Sequence, residues 1–102
     1  MCNPKSTREQ LPIALFPLGQ IVATPGALEI LDQYAINAMD LIKRHQSGDW
    51  GNVPPSDAEE NMRSIKNGWR ILSSYAISDD QNLWIITEAD RSVTTLLLPE
   101  EY

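Results

Sequence analysis

The spacing of apolar residues along the chain changes from a helical period to a strand period after Gly68. Before this glycine, apolar side chains recur every three or four positions, as on one face of a helix. After it they alternate with polar side chains or run continuously, as in strands. The pattern predicts an α+β fold, in which an N-terminal extended segment and helices are followed by a three- to four-stranded antiparallel sheet. Residues 1–10 are polar and predict a flexible lead-in, which leaves 11–102 as a single α+β domain.

The first two helices are predicted from the residues at their ends. Thr24 can cap the first helix, and Pro25 suits its first position because the missing N–H is not needed there. Asn37 can cap a second helix over residues 38–46. Gly48 follows as the expected C-terminal stop, since glycine readily adopts the left-handed conformation that ends helices.

A third helix is predicted before Gly68. Ser56 followed by Glu59 has the pattern of a capping box, which makes Ser56 the expected N-cap. The apolar face of this helix is thin, so the helix should lie on the surface. The apolar residues on that face are Ala58, Met62 and Ile65.

Four segments are predicted as strands. The short run 20–23 precedes the helices, and residues 69–77 alternate in polarity after them. A polar turn over 78–82 leads to residues 83–87, which are nearly all apolar, as in a central strand covered on both faces. Residues 93–98 are β-branched and apolar. Because such a meander leaves edge strands unpaired, a homodimer formed by pairing of two copies is a further expectation.

The charge of the chain restricts its partners. The 102 residues include 14 acidic and 8 basic side chains, for a net charge of −6. Such a surface repels phosphate backbones, so we expect no direct binding of nucleic acid, and it suits docking to a basic surface on another protein. No signal-peptide pattern and no apolar run of membrane-spanning length is present in the sequence, which predicts a cytosolic protein without membrane contact.

The single cysteine, Cys2, and the single histidine, His45, limit the available chemistry. They allow neither an intrachain disulfide nor a zinc cluster of cysteines and histidines. The sequence also contains no glycine-rich phosphate loop and no nucleophile motif. We therefore expect no cofactor and no metal site.

The polar segment HQSGDWG, residues 45–51, is the first candidate site. His45 is the one side chain here that titrates near neutrality unaided, and Asp49 could orient it as a general base. Alternatively, His45 is a cation that stabilises the C-terminal end of its helix. Asp49 and Trp50 could face a partner or a ligand, or Asp49 could form an Asx-turn while Trp50 plugs the edge of the core.

The second candidate site is the tip of a predicted hairpin that carries Glu88, Asp90 and Arg91. Glu88 as a base and Arg91 as a stabiliser of developing charge, together with His45, would suffice for a metal-independent ribonuclease, and Arg70 could join them from the sheet. In a protein without catalytic activity, the two sites would instead contact a partner. The partner-binding residues would then be Asp49, Trp50, Glu88, Asp90 and Arg91.

Three segments carry a resemblance to a known group: TPGALE (24–29), RHQSGDWG (44–51) and WIITEADRSVTTLLLPEEY (84–102). They resemble small proteins encoded on conjugative plasmids and integrative elements, commonly labelled plasmid-related proteins. The resemblance implies a bacterial mobile-element setting, in which small acidic proteins often serve anti-defence or maintenance roles by binding a host or defence protein. The chain is more loosely similar to the barnase/colicin/RelE-like ribonuclease fold, which also places helices before an antiparallel sheet.

Three functions follow as hypotheses. The leading one is an acidic accessory protein of a bacterial mobile genetic element, which binds and inhibits a host nucleic-acid-handling or immune complex. The second is a toxin-like ribonuclease that uses His45, Glu88 and Arg91. The third is a small-ligand binder built around Trp50.

Overall fold

The computed structural model describes residues 14–102, in which three helices separate the first strand from the other three. The predicted lead-in, with Cys2, lies outside the described residues. The α+β class, with helices ahead of the meander, is confirmed. The elements are β1 (Gln20–Ala23), α1 (Pro25–Gln33), α2 (Ala38–Gln46), α3 (Pro55–Asn67), β2 (Ile71–Ser78), β3 (Gln81–Thr87), β4 (Val93–Leu97) and a 3₁₀ turn (Pro99–Glu101).

The four strands form one sheet in the order β1-β4-β3-β2. The predicted antiparallel meander is confirmed for β2, β3 and β4. The first strand differs, because β1 pairs with β4 in the parallel direction, with Gln20 opposite Val93 and Ala23 opposite Leu96. Parallel neighbours need a long crossover connection, which the three helices and the β2–β3 hairpin supply.

One face of the sheet packs against α1 and α2 to form the main core. Because side chains alternate along each strand, every second residue of β2, β3 and β4 points to this face. The buried members of this core are Ala27, Ile30, Leu31, Leu41, Ile42, Tyr75, Leu83, Ile85 and Leu96. A second cluster joins Phe16, Trp50 and Ile71, and Ala58 and Ile65 of α3 pack against it.

The caps predicted for the first two helices are confirmed. The Thr24 hydroxyl accepts a hydrogen bond from the Ala27 N–H at 3.1 Å, and Pro25 occupies the first helical position. The Asn37 side chain accepts from the Met39 N–H at 3.0 Å. These bonds satisfy N–H groups that have no partner inside the helix.

The capping box predicted for the third helix is wrong. Helix α3 begins at Pro55, after Pro54, with no side-chain cap, so Ser56 lies inside the first turn. Pro55 suits the first helical position, and the helix therefore starts one residue before Ser56. The predicted apolar face is also partly wrong, since Met62 is exposed and Asn61 is buried.

Edge strand β2 is covered by groups from α3 and the segment before it. The Asn61 side-chain amide donates to the Leu72 carbonyl at 2.7 Å and accepts from the Leu72 N–H at 3.2 Å. Two residues on, the Ser74 N–H donates to the Trp50 carbonyl at 3.0 Å, and the Asn52 N–H donates to the Ser74 carbonyl at 2.7 Å. These bonds occupy the positions that a neighbouring strand would use, so this edge is closed to further pairing there.

Candidate functional site

His45 lies on the last turn of α2, fully buried between two aromatic rings. Its ring centroid is 5.2 Å from that of Phe16 and 6.0 Å from that of Trp50, both in edge-to-face geometry. Burial penalises the charged imidazolium and lowers the pKa of His45 to about 3. The ring is therefore neutral at physiological pH.

A chain of hydrogen bonds runs through the imidazole and fixes its proton. The Thr94 hydroxyl donates to the Leu18 carbonyl at 2.7 Å, and the Thr87 and Thr94 hydroxyl oxygens are 2.7 Å apart. The Thr94 proton is already committed, so Thr87 must donate to Thr94, and Thr87 must in turn accept from the His45 Nε2–H at 2.9 Å. A neutral ring protonated at Nε2 leaves Nδ1 as an acceptor, so the Ser73 hydroxyl, 2.6 Å away, donates to it.

Neither role predicted for His45 fits this geometry. As a catalytic base it would need an accessible nitrogen, but both nitrogens are bonded inside the protein and the side chain is 0% exposed. As a cation at a helix terminus it would need to be charged, and burial prevents this. The imidazole instead links α2 to β2 and β3 through a satisfied polar network, which we call the His45 network (Leu18, His45, Ser73, Thr87, Thr94).

Arg91 lies in the loop between β3 and β4, as predicted, but its guanidinium faces the protein's own backbone. The residue adopts a left-handed conformation, with φ of 61°. The guanidinium donates to four carbonyl oxygens, those of Trp69 at 2.7 Å, Ser64 at 2.9 Å, Glu88 at 3.1 Å and Ala89 at 3.2 Å. Arg91 thus ties the loop to the C-terminal part of α3, and the roles predicted for it in catalysis and partner binding do not fit this geometry.

The structural interpretation of Asp49 and Trp50 fits the geometry. Asp49 accepts from the Arg44 Nε at 2.6 Å and from the Gly51 N–H at 3.2 Å, as in an Asx-turn, and the bond from Arg44 lowers the pKa of the Asp49 carboxyl. Trp50 is only 6% exposed and packs in the core beside Phe16. This burial does not fit the predicted partner contact of Trp50, while the Asp49 carboxylate stays on the surface.

Two of the predicted hairpin residues stay on the surface. Asp90 is exposed, and its pKa is lowered by hydrogen bonding from the Ser92 hydroxyl and from the Ser92 N–H, which lies 3.0 Å from the carboxylate. The Glu88 carboxylate is partly exposed and lies 3.6 Å from the Arg70 Nε. Both carboxylates remain accessible to a partner.

Glu88 belongs to a surface cluster that sequence reasoning found only in part. The Arg70 guanidinium donates to the Tyr102 hydroxyl at 2.5 Å and lies 5.9 Å above the centroid of that ring. The Tyr102 ring in turn meets the ring of Trp84, with centroids 5.8 Å apart. We call Arg70, Trp84, Glu88 and Tyr102 the Arg70 cluster. Its sequence signal was the position of Trp84, between Leu83 and Ile85 and so on the opposite face of β3.

A groove adjoins the Arg70 cluster between α3 and the start of β2. Its volume is about 190 Å³, and Arg70 contributes to both the groove and the cluster. The residues that line the groove are Asp57, Glu60, Asn61, Arg70 and Leu72. Glu60 pairs with Arg63 at 3.0 Å. The cluster and the groove therefore form one continuous surface.

Metal and membrane sites can be examined over residues 14–102. In this part of the chain, no three His, Cys, Asp or Glu side chains lie close enough together to hold a metal ion. No helix in the same range is both long enough and apolar enough to cross a bilayer.

A scan against protein-family models and searches of curated proteins and of solved structures each returned no match to this chain. The geometry of the described residues therefore has to support any functional assignment. The Arg70 cluster offers a partly exposed carboxylate and guanidinium, an exposed ring at Tyr102 and a half-buried ring at Trp84. The only imidazole of the chain lies buried in the His45 network instead, so the surface site lacks that acid–base group.

Proposed function

We propose that this protein acts by binding another protein through the Arg70 cluster and the adjoining groove. The observation that carries the proposal is the exposure of this cluster, in which Tyr102 is 69% exposed while it contacts Arg70 and Trp84. The groups considered for catalysis are occupied elsewhere, since His45 and Arg91 bond inside the protein. A binding role needs only the residues that remain accessible.

The residue types of the cluster suit a protein interface. Tryptophan, tyrosine and arginine are the side chains that most often carry binding energy between proteins. They give a large contact area, and each keeps a polar group at its end. The neighbouring groove offers a depression of about 190 Å³ for a side chain of the partner. Together these features favour a partner with an apolar residue at the centre of its contact patch.

The charge of the surface favours a basic partner. Each arginine of residues 14–102 is engaged within the protein: Arg44 with Asp49, Arg63 with Glu60, Arg70 with Glu88 and Arg91 with backbone carbonyls. The chain carries a net charge of −6, so the long-range field around it is negative. A basic partner would be attracted by this field and would associate faster at low salt.

The proposal can be tested with two matched tyrosine variants. Tyr102→Ala removes a ring of the cluster, and Tyr34→Ala removes an exposed ring at the end of α1. Each variant, with wild type, is used as bait in lysate of a bacterial host, and recovered proteins are quantified. We expect one basic protein to be recovered by wild type and Tyr34→Ala, and at least tenfold less by Tyr102→Ala. Equal recovery by all three baits would contradict a binding role for the cluster.

The binding of the recovered partner should then be measured with purified components. A Kd that rises steeply between 50 and 300 mM salt is expected for an acidic surface that meets a basic one. Arg70→Ala should weaken binding in the same assay, because it removes the side chain shared by cluster and groove. A salt-independent Kd would contradict the proposed charge complementarity.

We further propose that the setting is the cytosol of a bacterium that carries a mobile genetic element. This proposal depends on the resemblance of residues 24–29, 44–51 and 84–102 to plasmid-related proteins. The partner would then be a nucleic-acid-handling or immune complex of the host, inhibited when the acidic protein occupies its basic groove. The recovered partner should lose its own nuclease or nucleic-acid-binding activity when this protein is added, and unchanged activity would contradict the inhibitory role.

The ribonuclease hypothesis is tested separately with the wild-type protein. RNA incubated with the purified protein in EDTA should remain intact, because the only imidazole is buried and neutral. Cleavage that co-purifies with the folded protein through successive columns would contradict the binding-only account.

A further inference from the structure

The two edges of the sheet differ. The β2 edge is covered at Leu72 and Ser74 by groups from α3 and the segment 50–52. The β1 edge pairs only inward, with β4, and no other strand of the described chain lies beyond it. A strand in this position presents free N–H and C=O groups to any strand that can reach it.

The backbone of β1 shows which of its groups face outward. The Gln20 N–H donates to the Ser92 carbonyl and the Thr24 N–H to the Leu96 carbonyl, both at 2.9 Å, so the even-numbered residues bond to β4. Since the direction of these groups alternates along a strand, Ile21 and Ala23 direct theirs away from the sheet. Two outward-facing residues can make four hydrogen bonds with an antiparallel strand.

The side chains of β1 lack the devices that protect edge strands. Natural edge strands are protected by their shortness or by lysine, proline, a bulge or inward-pointing charges that prevent pairing. The strand Gln20–Ala23 is short, at four residues, but carries none of the other devices, and Ile21 and Val22 are 42% and 38% exposed. This edge is therefore competent to pair, and pairing would bury apolar side chains.

We propose that β1 pairs with β1 of a second copy of this chain, in antiparallel orientation, to form a two-fold symmetric dimer with a continuous eight-stranded sheet. Two copies that each carry a charge of −6 repel one another, and the repulsion is smallest where the surfaces that meet carry no charge. The strand Gln20–Ala23 is such a place. Because this strand carries no carboxylate, it offers a basic protein no ion pair. A second copy of the chain is therefore the favoured partner for the β1 edge.

The register of the dimer follows from the backbone. Residues opposite each other in an antiparallel pair must both face the partner or both face away. Centring the pair on Val22 places Ile21 opposite Ala23 of the other copy and uses only extended residues. Centring it on Ile21 would require Gly19 to bond, but Gly19 has φ of +66° and lies outside the strand. The dimer is therefore centred on Val22, with the two valine side chains as closest neighbours across the axis.

The register makes a cross-linking experiment specific. In a Cys2→Ser background, Val22→Cys puts two thiols at a non-hydrogen-bonded pair, where Cβ atoms are about 4.5–5.5 Å apart and a disulfide can form. Ile21→Cys is the matched control, because its nearest copy lies diagonally, about 7–8 Å away. Mild oxidation should convert most of the Val22→Cys protein, and little of the Ile21→Cys protein, to covalent dimer.

A second measurement does not depend on cysteine chemistry. Sedimentation equilibrium of the wild-type chain of 102 residues should give a mass that rises toward the dimer with concentration. Val22→Lys should give the monomer mass, with the far-UV circular dichroism spectrum of the folded wild type and a melting temperature that does not depend on protein concentration. Monomeric wild type at millimolar concentration overturns the proposal. Equal cross-linking of the two cysteine variants overturns the register and, with it, the pairing of β1 with β1.

Discussion

The His45 network and the Arg70 cluster both bring polar groups and aromatic rings together, but in opposite surroundings. In the network, each hydroxyl and each ring nitrogen is bonded within the protein, and the imidazole is 0% exposed. In the cluster, Arg70 and Glu88 are partly exposed, and their separation of 3.6 Å is loose for an ion pair. The difference shows that polar groups of this sheet are either enclosed and fully bonded or left partly exposed, according to what packs over them.

The two regions also differ in how much stability their polar groups are expected to provide. A buried polar group left without a partner costs about 1–3 kcal/mol, and a satisfied one fixes its neighbours in a single arrangement. An exposed ion pair contributes about 0–1 kcal/mol, because water and salt screen it. Matched substitutions in the two regions should therefore have very different effects.

The largest effect is expected at His45. His45→Ala removes a buried ring and leaves the Thr87 and Ser73 hydroxyls without their ring partners, so the free energy of unfolding should fall by about 3–5 kcal/mol. Met39→Ala on the same helix removes an exposed side chain and should change it by less than about 0.5 kcal/mol. Urea denaturation monitored by tryptophan fluorescence measures both. Equal stability of the two variants would mean that the network does not hold the fold.

The His45 network should also make the stability of the protein depend on pH, because acid protonates the histidine of the unfolded chain. The pKa of His45 is 6.5 when unfolded and about 3 when folded, so the unfolded chain binds a proton first as the pH falls. The preference for the neutral ring contributes fully to the free energy of unfolding above pH 6.5, and this contribution is lost as the pH falls toward 3. The free energy of unfolding should therefore fall by about 2–3 kcal/mol between pH 6.5 and pH 4.5. Urea denaturation across this range measures the slope, and His45→Gln, which has no group that titrates here, should abolish it. A slope that persists in His45→Gln would have another origin.

Two glycines compare a closely packed backbone position with an open one. Gly51 and Gly68 have almost equal φ, +77° and +75°, but a Cβ at Gly51 would lie 1.9 Å from the Ser74 carbonyl oxygen, while one at Gly68 would meet nothing within 4 Å. Alanine costs about 1–2 kcal/mol at either position for the left-handed backbone. Gly51→Ala should cost about 2 kcal/mol more, because segment 50–52 must move away from β2. Thermal denaturation of both variants gives the difference, and a difference near zero would show that the close approach is not needed.

The smallest contrast is expected between two arginines. Arg91→Ala removes the donor to four carbonyl oxygens and should lower stability by about 2 kcal/mol. Arg70→Ala removes a loose, exposed pair and should lower it by less than about 1 kcal/mol. Both are measured by urea denaturation, and binding of a purified partner should show the reverse order. If Arg70→Ala lowered stability more than Arg91→Ala, the assignment of Arg91 to the fold and of Arg70 to the binding surface would be wrong.

Much of the fold could be predicted from local pattern. The strand at Gln20–Ala23, the cap at Thr24 and the cap at Asn37 depend on neighbouring residues, and all three are confirmed. The start of α3 was missed because two local signals competed, and the preference of Pro55 for the first helical position outweighed the capping pattern at Ser56. Local patterns predict which helices and strands form, but they do not show which of two competing start signals prevails.

The candidate sites were less predictable because they depend on contacts between distant residues. His45 meets Ser73, Thr87 and Thr94 only when α2 lies on the sheet, and 28 positions separate His45 from Ser73. Ser73 and Thr87 were visible in the sequence as polar residues within predicted strands, but their partner on a helix was not. The parallel pairing of β1 with β4 was hidden for the same reason, since the strands are separated by three helices and a hairpin.

The protonation of His45 tests most directly the claim that the network is structural. The chain has one histidine, so the imidazole signals of a tag-free protein in a ¹H–¹⁵N spectrum need no assignment. We expect a neutral ring with its proton on Nε2, unchanged from pH 8 down to about pH 4.5, because the folded pKa is about 3. A ring that titrates near pH 6.5 in the folded protein would contradict the account, because His45 would then be accessible to solvent.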